Sequence, residues 1–324
     1  RSGRPADGDG PALPAERDGR LSLVGSAFGR FLLRRLGLSL LTLWLVTVVV
    51  FLGAQVLPGD PGRAVLGPLA DPRAVAALNK ELGADRPPVE VYVSWVGGML
   101  QGDLGQSYAY RAPVAPFVGD ALLKSLKLVG VIFLIVVPLG VGAGVIAALN
   151  AGKPLDRILS VASLSLTVIP EFVSAIALIL VFAVILRWLP LSASWPTGAG
   201  PLTQLEHLIL PALPLVIVLF GYIARMARAG TVEALSSDYT RTAILKGLPW
   251  RTVLTRHVLR NALVPTITVI AAQTGYALGG LVVVETLFRY QGIGNLVLSA
   301  AKAKDFAMLQ AGILAIGDNV LPKI

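Results

Sequence analysis

The chain has 324 residues, of which 55% are hydrophobic and 15% charged, with a formal net charge of +9 and a mean hydropathy of +0.73. A soluble domain carries about a quarter charged residues, so this balance excludes an ordinary soluble protein, and the positive excess fits basic inner loops better than a nucleic-acid surface. Cysteine is absent, which excludes disulfides and thiolate metal sites, and two histidines, His207 and His257, leave little for a histidine-rich metal centre or a Ser-His-Asp hydrolase.

Residues 1–29 are rich in Gly, Pro, Asp and Arg, and a disordered cytoplasmic tail is expected there. The first apolar run, Leu38 to Leu57, ends without a small-residue cleavage site and reads as a retained span within residues 30–57. Residues 58–121 mix Pro, Gly and both charge signs. Within them Asp71 to Leu82 predicts a short amphipathic helix, with Asp71 as cap, Pro72 at the first position and Gly83 as stop. Val89 to Leu100 predicts a second, so a small extracytoplasmic helical segment is expected.

Five more apolar runs form the expected core, residues 122–324. They are Leu122 to Leu149, Ile158 to Leu186, Leu208 to Ala224, Leu263 to Val284, and a short run from Phe306 that contains Asp318 and Asn319. A bilayer core needs about 20 helical residues, so the two longest runs predict tilt or extension past the interface. Arg30, Arg34 and Arg35 precede the first span, Lys153 and Arg157 lie between the second and third, and the loop 225–262 is strongly basic. The N-terminus is therefore expected inside, and six spans return the C-terminus to the same side.

Polar groups inside spans are costly and usually face a pathway. Glu171, Gln273, Thr274 and Tyr276 are candidates to line one; for Glu171 a helix start after a proline kink is an equal alternative. Lys124 and Lys127 read as residues snorkelling to the interface. Gly140 to Gly144 and Gly275 to Gly279 read as close helix packing rather than a nucleotide fingerprint. No G-x-x-x-x-G-K-[ST] string occurs; Asn150-Ala151-Gly152-Lys153-Pro154 lacks its first glycine and its Ser/Thr.

The most patterned segment is polar and sits between two apolar runs. It reads Glu233-Ala234, Asp238-Tyr239, Arg241-Thr242-Ala243, Lys246-Gly247, Arg256-His257 and Leu259-Arg260-Asn261-Ala262-Leu263. It resembles the EAA coupling loop of ABC importer permeases of the oligopeptide/dipeptide family. Leu57-Pro58-Gly59-Asp60-Pro61, Gly102-Asp103-Leu104-Gly105, Ser163 to Phe172 with Ile169-Pro170, and Val284-Glu285-Thr286-Leu287-Phe288 with Gly292-Ile293-Gly294 are similar to that family in the same order. Leu245, Pro249 and the ending Leu321-Pro322-Lys323-Ile324 depart from its pattern.

The resemblance implies an all-α integral membrane protein with six transmembrane helices and the type I ABC importer permease fold. It implies a multi-pass subunit of the bacterial inner membrane, paired with a homologous second permease and two ATPase subunits and served by an extracytoplasmic substrate-binding protein. Glu233, Ala234, Asp238, Tyr239, Arg241, Thr242, Ala243, Lys246 and Gly247 would couple to the ATPases. ATP and Mg would sit on those partners, with no cofactor in this chain and no bond-breaking chemistry. The solute could be a peptide, nickel, haem, glutathione or a sugar. The rival classes are a proton-coupled secondary transporter, which the scarcity of intramembrane acids disfavours, and an intramembrane enzyme such as a protease or lipid transferase, for which no catalytic set is visible.

Overall fold

The computed structural model describes residues 17–56, 61–67, 69–81, 86–196 and 198–320. The expectations for residues 1–16, for Leu57 to Asp60, for the stop at Gly83 and for residues 321–324 lie outside them. The chain divides into two compact units, Arg1–Leu45 and Val46–Ile324.

The first unit holds the N-terminal part of helix α1, Arg17–Val56. Residues 17–29 are thus helical, where a disordered tail was expected. No proline stands between Pro14 and Pro58, so nothing in the sequence stops the helix of the first span from propagating back towards the N-terminus.

The second unit is the bulk of the protein. After α1 come three short helices, α2 (Pro61–Leu66), α3 (Pro72–Glu81) and α4 (Pro88–Leu100). The α3 start is the one read from sequence: Arg73 N donates to Asp71 Oδ1 at 2.9 Å. The last part of α1 packs on α4, with Phe51 against Tyr92 and Trp95 and a Thr47–Tyr92 hydroxyl contact of 2.9 Å. A two-residue hairpin, β1 (Gln106–Ser107) and β2 (Ala112–Pro113), interrupts the otherwise helical chain.

Three long helices make the core: α5 (Val114–Leu149), α8 (Pro201–Ser236) and α11 (Leu259–Leu287). Leu128, Ile132 and Val136 of α5 meet Leu215, Leu219 and Ile223 of α8 and Leu278, Leu281 and Val284 of α11. Gly140 and Gly144 let α8 approach: a Cβ at Gly140 would stand 2.9 Å from Ile223, and one at Gly144 2.7 Å from Ala227. They lie four apart on one helix face, while Gly142 between them faces open space. Gly279 also faces open space; the close approach on α11 is at Gly280, against Leu215 and Glu171.

The third apolar run is not one straight helix. α6 (Pro154–Val168) and α7 (Glu171–Leu178, continued as a π-helix through Ile185) meet at a bend of 102°. Pro170 has no N–H and forces Ile169 out of the helical region, to φ −70° and ψ 121°. Among the described residues four helices are long and apolar enough to cross a membrane, five if the bent pair counts as one. The last helix, α13 (Phe306–Val320), has a shorter apolar stretch, Phe306–Gly317. The hydropathy count of six becomes four long spans, a bent pair and this short helix.

Two buried acids fix the end of the bundle where α11 finishes. Glu285 is fully buried and accepts from Gly294 N at 2.8 Å, Asn295 N at 3.1 Å and the Ser125 hydroxyl, capping α12 (Ile293–Ala303) from a distant position. Gly292 and Gly294 are small because the Glu285 carboxylate and Val282 occupy the space a side chain would need. Asp305, 1% exposed, caps α13 through Met308 N at 3.3 Å and also takes the Ser107 hydroxyl, tying the hairpin to it. Burial, aided by the Asp305 charge, raises the Tyr108 phenol above its ordinary value.

Candidate functional site

The EAA-like segment resolves into three parts. Glu233 and Ala234 do not lie in a loop: α8 continues through Ser236 and carries them. After Ser237 a separate short helix, α9 (Asp238–Leu245), follows, and then α10 (Trp250–Thr252) and a π-helical turn lead into α11. The basic stretch 225–262 is therefore mostly helix, with the ends of α8 and α11 framing α9.

The junction between α8 and α9 is held by hydroxyls. Ser237 Oγ donates to the Ala234 carbonyl at 2.6 Å, and Thr240 Oγ1 donates to the same carbonyl at 2.7 Å. These bonds satisfy an end carbonyl of α8 that would otherwise be orphaned. Thr240 and Ala243 are the buried face of α9, and Ala243 packs with Ala234, Val253, Val258 and Ala262. Asp238 stands in the first turn, where a negative charge suits the helix dipole. Under this junction Gly230 lets α8 touch the Ala262 backbone of α11.

The opposite face of α9 is open. Tyr239 is 41% exposed, Ile244 52% and Leu245 79%, and Trp250 adds an exposed ring. Glu233, Asp238, Arg241, Thr242 and Lys246 are exposed around them. The exit is a left-handed turn at Gly247, φ +76°, with no atom within 4 Å of where a Cβ would stand. Of the nine residues singled out from sequence, Ala234 and Ala243 are buried supports and the rest are accessible. Ser237, Thr240 and Gly230 escaped sequence reading: their roles depend on the angle between α8 and α9, which no local pattern encodes.

One further support was missed. Arg228 of α8 donates to both carboxylate oxygens of Asp156, at 2.5 and 2.7 Å, and Gly152 N donates to the same carboxylate at 3.0 Å. The pair clamps the α5–α6 connection to α8 about two turns before α8 ends. From sequence Arg228 is only one of the cations of the basic stretch 225–262.

The pathway candidates divide. Glu171 and Tyr276 come together, the phenol donating to the carboxylate at 2.5 Å. Gln273 is half-buried one turn from Tyr276, and Thr274 Oγ1 donates to its own helix at Ile270 O, 3.2 Å. Lys124 does not simply snorkel: it pairs with Asp120 at 2.8 Å and reaches Gln291 at 3.2 Å.

Comparison with known proteins gives concordant results. The family described as "Binding-protein-dependent transport system inner membrane component" matches residues 140–317, and its N-terminal companion matches residues 28–139. The glutathione transport system permease protein GsiC of Escherichia coli (strain K12) is 36% identical over 286 residues, 88% of this chain and 90% of that protein. The probable peptide ABC transporter permease protein y4tP of Sinorhizobium fredii (strain NBRC 101917 / NGR234) is 35% identical over 288 residues, 89% of this chain and 92% of that protein.

Proposed function

The chain belongs to the family of inner membrane components of binding-protein-dependent transport systems, and from that premise we propose how it works within such a system. It forms half of the solute path of an ATP-driven importer, the other half being a homologous permease. Two ATPase subunits bind the α9 side and carry ATP and Mg; a binding protein delivers solute to the opposite side. The N-terminus and α9 are cytoplasmic, residues 58–121 are extracytoplasmic, and the bent α6–α7 pair and α13 complete six crossings. The solute is a short peptide or a peptide-like molecule such as glutathione, as the names of the relatives suggest for them.

The observation that carries this reading is α9 itself. Its buried face is fixed to both α8 and α11 by Thr240 and Ala243, while Tyr239, Ile244 and Leu245 are left bare. A rigid helix with an exposed aromatic and aliphatic face and a basic rim is suited to sit in a cleft of another protein. Movement of that partner would be passed to two core helices at once. The direct test is reconstitution in proteoliposomes with two ATPase subunits, a second permease and a binding protein of the same transport system. Solute uptake should require ATP and the binding protein, and Tyr239→Ala with Leu245→Ala should abolish binding-protein-stimulated hydrolysis. Uptake independent of ATP would overturn the importer reading.

A further inference from the structure

Glu171 and Arg225 are opposite charges on apolar helices, and among the described residues neither forms an ion pair. Glu171 stands at the α6–α7 break, its carboxylate against Gly280, where a Cβ would come within 3.0 Å of it. Its side-chain partner is the Tyr276 hydroxyl. Leu215 of α8 meets Gly280 of α11; Tyr222, 36% exposed, stands two turns from Leu215, and Tyr276, 45% exposed, one turn from Gly280, both towards α9. The Arg225 guanidinium lies 5.5 Å from the centre of the Tyr222 ring and donates to the Gly221 carbonyl at 3.2 Å. Arg228, one turn further along α8, is by contrast taken up by Asp156. Glu171 lies within the third apolar run, where a charge without an ion-pair partner is costly and marks a pathway, while Arg225 stands just past the end of the fourth run, on the α9 side.

We propose that Glu171, Tyr276, Tyr222 and Arg225 form a bipolar ladder along the solute path, which receives the cationic group of a passing solute at Glu171 and its anionic group at Arg225. This rests on the permease reading above. The Tyr276 hydroxyl holds the carboxylate between passages and yields it to an ammonium group, which makes the stronger, charge-assisted bond. The two phenol rings give a solute of either shape an amphipathic surface between the charges and offer a cation an aromatic face. Arg225 stands nearer the α9 end of α8 than Tyr222, so the ladder runs from the helix break towards α9. The solute class it suits is a molecule with separated ammonium and carboxylate groups.

The chain has no cysteine, so single thiols report without background. Gln273→Cys, one turn from Tyr276, and Ala229→Cys, one turn beyond Arg225, are placed in the assembled importer in membrane vesicles. Each is reacted with cationic methanethiosulfonate-ethylammonium and anionic methanethiosulfonate-ethylsulfonate, and rates are normalised to those of a free thiol. The thiol at 273 should prefer the cationic reagent and that at 229 the anionic one, each by roughly tenfold, the scale of one nearby charge in a partly wet site. Glu171→Gln should remove the first preference and Arg225→Gln the second, while Glu171→Asp keeps the first. Equal rates for both reagents in the parent background overturn the ladder, whether or not the charge variants assemble. No reaction at either thiol also overturns it, because these faces are then covered by a partner. Binding-protein-dependent uptake by the same vesicles reports separately on the permease reading: its loss with charge preferences intact would remove that reading and leave a bipolar water-filled groove.

Discussion

In the proposed coupling, the exit turn at Gly247 carries a mechanical role. Its φ of +76° is a region that L side chains avoid, and no neighbour crowds the site. A substitution there strains the backbone without a clash, at roughly 1–2 kcal/mol for most side chains and more for β-branched ones. Gly247→Val should therefore leave insertion intact and abolish stimulated ATP hydrolysis, whereas Gly247→Asn, which tolerates this region better, should retain part of it. Full stimulation in Gly247→Val would show that the exit turn of α9 is not mechanically important. This glycine was legible in the sequence because it ends a polar, helix-like run. The Asp156–Arg228 clamp was not: its members lie 72 residues apart and each looks locally like ordinary interface charge.

Glu285 makes the same point about distance. The family resemblance read from the sequence marks Val284 to Phe288 and Gly292 to Gly294 as two adjoining blocks without saying why they go together. The structure gives the reason: the carboxylate fills the space left by Gly292 and takes the Gly294 and Asn295 N–H groups of α12, while Ile293 N donates to the Ser125 hydroxyl that the same carboxylate holds. Glu285→Ala would leave the Gly294 and Asn295 N–H groups unpaired in a buried site, at about 1–3 kcal/mol each. A lower melting temperature of the solubilised protein, with the melt of α12 detected first by hydrogen exchange, is expected; an unchanged melt would mean that water replaces the carboxylate.

Among the elements, the packing of α5 on α8 is the most sharply constrained. Gly144→Leu drives a side chain into the Ala224 and Ala227 turn of α8, and overpacking of this kind costs typically about 1–3 kcal/mol or more. Gly142→Ala, two residues away, meets nothing and should be neutral or slightly stabilising through helix propensity. Yield of monodisperse protein after solubilisation should separate them clearly; equal yields would deny that α5 and α8 touch here. The glycine run was visible in the sequence, and so was its packing role, but which glycines pack was not, because that depends on helix phase. Element lengths were less legible. Hydropathy ended the fourth run at Ala224, yet α8 goes on to Ser236 because the charged residues there are still good helix formers and no proline intervenes. The hairpin at Gln106 to Pro113 is too short to leave a period in the sequence, and Asp305, which secures it, is 198 residues from Ser107.

For the whole molecule the open question is what the bent α6–α7 pair does, since parity decides the side of every later loop. Two sets of contacts bear on it. At its start, Asp156 is clamped to Arg228, near α9. Beyond its end, Ala193 N donates to Phe288 O at 3.0 Å, Ser192 O accepts from His207, and Trp195 packs on Tyr290. Tyr290 in turn donates to Lys124 O, early in α5. The pair thus begins at one end of the α5–α8–α11 bundle and finishes at the other, despite its 102° bend. A re-entrant loop would bring both ends to the same level. If the pair crosses, three crossings separate Lys80 from Arg251: α5, the pair, and α8. Cysteines at these two exposed positions, in a chain with none of its own, should then react with an impermeant maleimide from opposite faces of the membrane, and a third at Leu191 should label from the Lys80 side. Lys80 and Arg251 labelled from the same face would make the pair re-entrant and move α9 to the side of residues 69–81, away from any cytoplasmic ATPase, so the same measurement that fixes the topology also bears directly on whether α9 can be driven by ATP.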